Sequence, residues 1–141
     1  MTLLHDAYTA LLSGLTTKIG NEIHWQDEYG KPITVEPIDI EKEKYIVRYY
    51  HENGNKKRER EYQSGKTHGK SIGWDISGKK WAEQEYQNGQ FHGKSVRWFN
   101  GGEKASEEEY QNGLLHGKSI EWYADGNKLW EAEYQNGVRI K

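Results

Sequence analysis

The chain has 141 residues, of which 33% are apolar, 30% charged and 13% aromatic, with 16 Gly, 10 Tyr, 6 Trp, 2 Pro and no Cys. That length suits one domain or one short repeat array, and so few aliphatics beside so much Gly and Tyr suggest short strands, tight turns and a core made largely of rings. The absence of Cys excludes disulfides, thiolate catalysis and a Cys-type metal site, and a formal net charge of -2 gives no bulk attraction to nucleic acid or anionic lipid.

From the amino terminus, Met1 to Leu15 places Leu3, Leu4, Ala7, Tyr8, Leu11, Leu12 and Leu15 at helical spacing. Its polar side holds Asp6 and no basic residue follows until Lys18, which argues for a cap rather than a membrane-surface helix. No apolar run approaches the ~20 residues of a membrane span, and the basic-then-apolar pattern of a signal peptide is missing, so a cytoplasmic location is expected. Residues 21–40 read as a degenerate hairpin, with Ile23 and Trp25 before Tyr29-Gly30 and Ile33 and Val35 after it. Charge marks a boundary near residue 44: residues 1–44 carry 4 basic and 8 acidic side chains, and residues 45–68 carry 6 basic and 3 acidic. The expected division is a helix-plus-hairpin cap over 1–44 and a repeat array over 45–141.

The repeat is explicit. Glu61-Tyr62-Gln63-Ser64-Gly65 returns at 85–89, 109–113 and 133–137, always 24 residues on. His68-Gly69-Lys70-Ser71 recurs at His92 and His116, and Trp74, Trp98 and Trp122 keep the same step, with Tyr50 one period earlier. Turn dipeptides from Asn53-Gly54 to Asn136-Gly137 alternate at spacings of 11 and 13 residues. The intervals fit strands and are too short for helices, so each unit is two antiparallel strands in a continuing meander. A lone hairpin is marginal in water, and stability must come from stacking like columns on their neighbours. Alternation puts Lys94, Val96 and Trp98 on one side; the expectation is that the Tyr and Trp columns form the packed ladder while the Glu columns face outward.

The unit Glu-Tyr-Gln-Asn-Gly-x-x-His-Gly-Lys-Ser-x-x-Trp-x-x-x-Gly-x-Lys resembles the MORN repeat, and more closely the bacterial variant of YwqK-type antitoxins. The resemblance spans roughly residues 45–141; one period before His68-Gly69 it departs, with Lys44 and Tyr45 in place of His and Gly. It implies a mostly β, single-layer antiparallel β-hairpin solenoid with a binding role. In its most specific form that role is an antitoxin-like neutraliser of a cognate protein by steric occlusion.

Several chemistries can be weighed from spacing. Gly65-x-x-x-Gly69-Lys70-Ser71 has three residues between its glycines where a phosphate loop needs four, and a strand follows in place of a helix. Equivalent histidines two strands apart stand about 9–10 Å from each other, too far to share one metal ion, and are better read as bonding the turn backbone. Glu83, Glu85, Glu107 and Glu109 belong to a double acidic column neutralised by Lys columns, or serve as a ridge for a basic partner; repetition in every unit speaks against catalysis. No cofactor motif appears, and a non-enzymatic module is expected.

Specificity can reside where the repeat varies. The pair before each His is Lys66-Thr67, Gln90-Phe91 and Leu114-Leu115; the pair before each Glu column is Lys57-Arg58, Trp81-Ala82, Ala105-Ser106 and Leu129-Trp130. Phe91, Leu114, Leu115, Leu129 and Trp130 are therefore candidate contacts for a protein partner, expected at exposed places on a turn edge and further on. The alternatives are a peripheral membrane or headgroup binder using Lys56, Lys57 and Arg58, and a scaffold that assembles end to end through the strand around Tyr134 to Ile140. The same basic cluster, with Arg60, is too small for specific nucleic-acid binding at physiological salt.

Overall fold

The computed structural model describes residues 3–12, 14 and 18–141, so Leu15 of the expected helix lies outside the described residues. Helix α1 (Leu3–Leu12) is followed by twelve strands: β1 (Lys18–Ile19), β2 (Glu22–Gln26), β3 (Pro32–Asp39), β4 (Lys44–Tyr50), β5 (Lys56–Gln63), β6 (Lys66–Trp74), β7 (Lys80–Gln87), β8 (Gln90–Trp98), β9 (Lys104–Gln111), β10 (Leu114–Trp122), β11 (Lys128–Gln135) and β12 (Val138–Arg139). They form one antiparallel sheet in strict chain order, a continuous meander of hairpins. The expected hairpin over 21–40 is β2–β3, with Ile23 opposite Val35 and Trp25 opposite Ile33. Pro37 lies beyond the β2–β3 pairs and opposite Tyr45 of β4, at the point where the β3–β4 register shifts, a position at which proline is tolerated.

Two kinds of turn alternate. At Ser64-Gly65, Asn88-Gly89, Asn112-Gly113 and Asn136-Gly137 both residues have positive φ, 49–51° for the first and 82–85° for the second, the signature of a two-residue type I′ hairpin. At Gly54, Gly78, Gly102 and Gly126 only the glycine is left-handed, and five residues link the strands. In two of these longer loops an aspartate closes the turn: Asp75 Oδ1 accepts from the Ser77 and Lys79 amides, and Asp125 Oδ1 from Asn127. Each longer turn also leaves one extra residue opposite the partner strand, at Lys57, Trp81, Ala105 and Leu129.

The sheet has one covered face and one bare face. Helix α1 lies against β2 and β3, and Leu4 and Ala7 close a core with Ile23, Ile33, Val35, Tyr45 and Val47. Those five strand residues share the helix face, and register carries that face outward in three rows. One runs from Tyr45 through Tyr62, Thr67, Tyr86, Phe91, Tyr110 and Leu115 to Tyr134. A second holds Arg60, Ser71, Gln84, Ser95, Glu108, Ser119 and Ala132. The third holds Arg58, Gly73, Ala82, Arg97, Ser106, Glu121 and Trp130. Beyond β5 no described element covers these rows.

The expectation for the faces needs correcting. Tyr and Trp do not share a ladder: the Tyr column stands on the helix face, and the Trp column stands on the opposite face together with the Glu columns. The cause is parity. Glu83 sits opposite Ile72 and Glu85 opposite Lys70, which fixes Glu, Ile, Lys and Trp74 on one side and leaves Tyr86 on the other.

Candidate functional site

On the face opposite the helix, charge is locally neutralised. Glu83 is gripped by Lys70 at 3.3 Å and Lys80 at 2.8 Å, Glu107 by Lys94 at 3.3 Å and Lys104 at 2.9 Å, and Glu131 by Lys118 at 3.8 Å and Lys128 at 2.6 Å. The hydrogen bond from Lys80 holds the Glu83 carboxyl below its ordinary range, with Lys70 adding to it against partial burial; Lys104 and Lys94 do the same for Glu107. Lys56 and Lys80 also lie over the rings of Trp74 and Trp98, at 4.6 and 5.4 Å from the centroids, so each ammonium faces both a ring and a carboxylate. Arg48 closes the series by bonding Glu22, Glu36 and Glu59 at 3.0–3.1 Å.

The second Glu column does something the sequence does not announce. His68, Gly69 and Lys70 oppose the single Glu61, and the Glu61 carboxylate folds into the space over Gly69 to accept from the Lys70 amide at 3.1 Å. A Cβ at Gly69, Gly93 or Gly117 would stand 1.8–2.4 Å from the carboxylate oxygen of Glu61, Glu85 or Glu109, and all three glycines have φ between 108 and 115°. The His-Gly-Lys signature is thus a backbone bulge with a carboxylate lid. The histidine completes it by accepting the amide of the following turn at Nδ1: Asn88 on His68, Asn112 on His92 and Asn136 on His116, at 3.2–3.3 Å. Among the described residues no group of three or more His, Cys, Asp or Glu stands close enough to hold a metal ion.

The helix face is different in character. Phe91 stacks between Tyr86 and Tyr110 with centroid separations of 4.9 Å on each side, and Tyr45 stacks on Tyr62 at 5.3 Å. Phe91 and Leu115, expected to be exposed, are half-buried members of this row, because each lies directly opposite a tyrosine of the preceding strand. Leu114 is exposed and leans on the next turn at Gly137. Trp130 ends the third row and Leu129 fills the last bulge, both exposed. Trp81, in the equivalent bulge, lays its indole over Gly73, where a Cβ would be 3.0 Å from the ring.

Of the candidate residues, the structure brings Phe91, Leu115 and Trp130 onto one face and puts Glu83 and Glu107 on the other, each already paired. Glu85 and Glu109 are occupied as lids. The stacked tyrosines and three arginines of the helix face (Arg58, Arg60 and Arg97) belong to this surface too. The signal that finds them is cross-strand register, which only the turn geometry supplies. Among the described residues no helix is long and apolar enough to cross a membrane.

No family model matches the chain, and no curated protein does. A crystal structure of a mutant S. aureus TarM in complex with fondaparinux, alpha-GlcNAc-glycerol and UDP is similar at 12% identity and a TM-score of 0.47, over 82% of this chain. The chain spans 24% of the length of that protein, and a likeness of this degree carries no functional argument.

Proposed function

We propose that the protein is a non-enzymatic, protein-binding repeat module that receives its partner on the helix face beyond β5. The observation that carries this is the uncovered row of Tyr86, Phe91, Tyr110, Leu115 and Tyr134, with exposed Trp130 at the end of the third row and Leu129 in the bulge beside it. Rings held rigid by stacking lose little freedom on binding, which is why aromatic platforms make effective contacts. The opposite face, with its carboxylates already held by lysines, offers less to a partner. The resemblance to antitoxin repeats gives the reading its most specific form, a neutraliser that occludes the surface of a cognate protein in the cytoplasm.

The test is photocrosslinking in lysate of the source organism, with a benzophenone side chain placed at Leu115 or Trp130 and, as control, at Lys94 on the other face. A single protein crosslinked from Leu115 and Trp130 but not from Lys94 is the expected result. Equal labelling from both faces, or capture of lipid in place of protein, would overturn the reading and favour a membrane-associated role.

A further inference from the structure

Charge is distributed unequally between the two faces. Among the described residues, Lys56, Lys70, Lys80, Lys94, Lys104, Lys118, Lys128 and Arg48 all have a carboxylate within 4 Å on the face opposite the helix. On the helix face Arg58, Arg60 and Arg97 have none. Arg60 spends only Nε, donated to Ser71 Oγ at 3.3 Å, and its terminal nitrogens carry no internal bond. Of the acids on this face, Asp27, which lines a cleft with Glu28, Tyr49, Lys57 and Arg58, accepts the Tyr29 and Lys31 amides, and Glu108 accepts from the Tyr110 hydroxyl. Arg58 and Arg97 occupy one row, and the indole of Trp81 lies over Gly73 between them.

A guanidinium with its fork free, beside flat rings, is a receptor for planar anionic groups. We infer that this face takes an extended acidic segment of a protein partner, with carboxylates on Arg58, Arg60 and Arg97 and interleaved apolar side chains on Trp81 and the Tyr86–Phe91–Tyr110 row. An acidic polypeptide fits better than a nucleic acid. Glu108 and Glu121 stand in the same rows, and the chain's formal charge is -2, both of which oppose a continuous phosphate backbone. A segment with spaced carboxylates can avoid those two positions.

This inference rests on the protein-binding reading and names the partner's chemistry. The probe is a labelled peptide of alternating Glu and Phe, followed by fluorescence anisotropy on the full chain, with its Gln-Phe counterpart, oligo-deoxythymidine and phosphatidylserine vesicles as comparisons. The expected result is binding that weakens about tenfold or more when Gln replaces Glu in the peptide. It weakens similarly in Arg58→Gln/Arg60→Gln/Arg97→Gln, and stays unchanged in Lys94→Gln/Lys118→Gln. Arg97→Gln alone, at an exposed position, shows a partial loss and keeps the test valid if the triple variant folds poorly. Absence of binding, equal binding of the Gln peptide, equal loss in the lysine variant, or tighter Arg-dependent binding of the oligonucleotide or vesicles would each overturn it. If the peptide fails while Leu115 and Trp130 still crosslink one protein, the binding reading stands and the acidic-segment inference falls.

Discussion

Gly93 combines two demands in one position. Its φ of 108° disfavours any L side chain, and the Glu85 carboxylate stands where a Cβ would go. Gly89, at φ 82° with nothing within 4 Å of a Cβ, meets only the first demand. Gly89→Ala should therefore cost about 1–2 kcal/mol, and Gly93→Ala measurably more. Adding Glu85→Ala to Gly93→Ala should recover the difference, leaving only the backbone term; urea unfolding of the two single variants and the pair gives the comparison. If Gly93→Ala is no worse than Gly89→Ala, the carboxylate lid contributes nothing to the need for glycine there.

At the level of strands, the ion-pair face and the tyrosine row respond to opposite ends of the pH scale. The Glu83 and Glu107 carboxyls are held below the ordinary value of 4.5 by Lys80 and Lys104. Their contribution is complete above that value and is lost as pH falls through the lower folded one. On the helix face burial pushes Tyr45 up to about 12, with Tyr62 adding to it, and burial followed by the bond to Glu108 pushes Tyr110 up to about 12. An acid whose folded value is raised contributes fully below its unfolded value, here 10, and the contribution disappears as pH rises towards 12. A melting-temperature profile should thus fall at both ends of the scale, with tyrosinate absorbance rising together with the alkaline loss. In Lys80→Met/Lys104→Met the acid limb should become shallower while the alkaline limb stays put.

The strands and turns were legible because periodicity and Asn-Gly chemistry are local: type I′ turns stand at Asn88-Gly89 and Asn112-Gly113 where the dipeptides lie. The face assignment was not legible to the same degree. It depends on the extra residues at Trp81 and Leu129 and on the three-against-one bulge at His68-Gly69-Lys70, which alternation counted along one strand cannot reveal. Phe91 reads as an exposed variable residue in sequence, and becomes part of a stack only when Tyr86 and Tyr110 arrive from neighbouring strands. The free arginines of the helix face are identified by what their neighbours bond, and that information is entirely tertiary.

Across the whole molecule, apolar burial is concentrated at one end. Ile23, Val35 and Val47 are completely buried under α1, whereas the repeats beyond β5 are a single layer in which Ser71, Ser95, Ser119 and two alanines are the buried side chains on the helix face. Ile23→Ala should cost about 2–5 kcal/mol, the range for a fully buried isoleucine, and Val96→Ala, half-buried in the array, only about 1 kcal/mol. Native-state hydrogen exchange should rank the amides in the same direction, slowest in β3 and β4 and fastest in β11 and β12. Uniform protection along the sheet would show that stacking of like columns, and not the helix-covered core, sets the stability.

Each of the four type I′ turns is docked backwards. Ser64 donates to the Glu43 carbonyl, Gly89 to Thr67, Gly113 to Phe91 and Gly137 to Leu115, at 2.8–3.1 Å, and the accompanying histidine bonds also reach from a later turn to an earlier unit. The acceptor in each case is synthesised before the donor. The longer turn over residues 51–55 points the other way, onto the Trp74 and Ile76 carbonyls of the next unit, but on the ribosome each newly emerged tight turn meets a landing place that already exists. For the same reason, gene-level duplication of a 24-residue unit adds a part that fits the one before it, and the length of the array is free to evolve by copying.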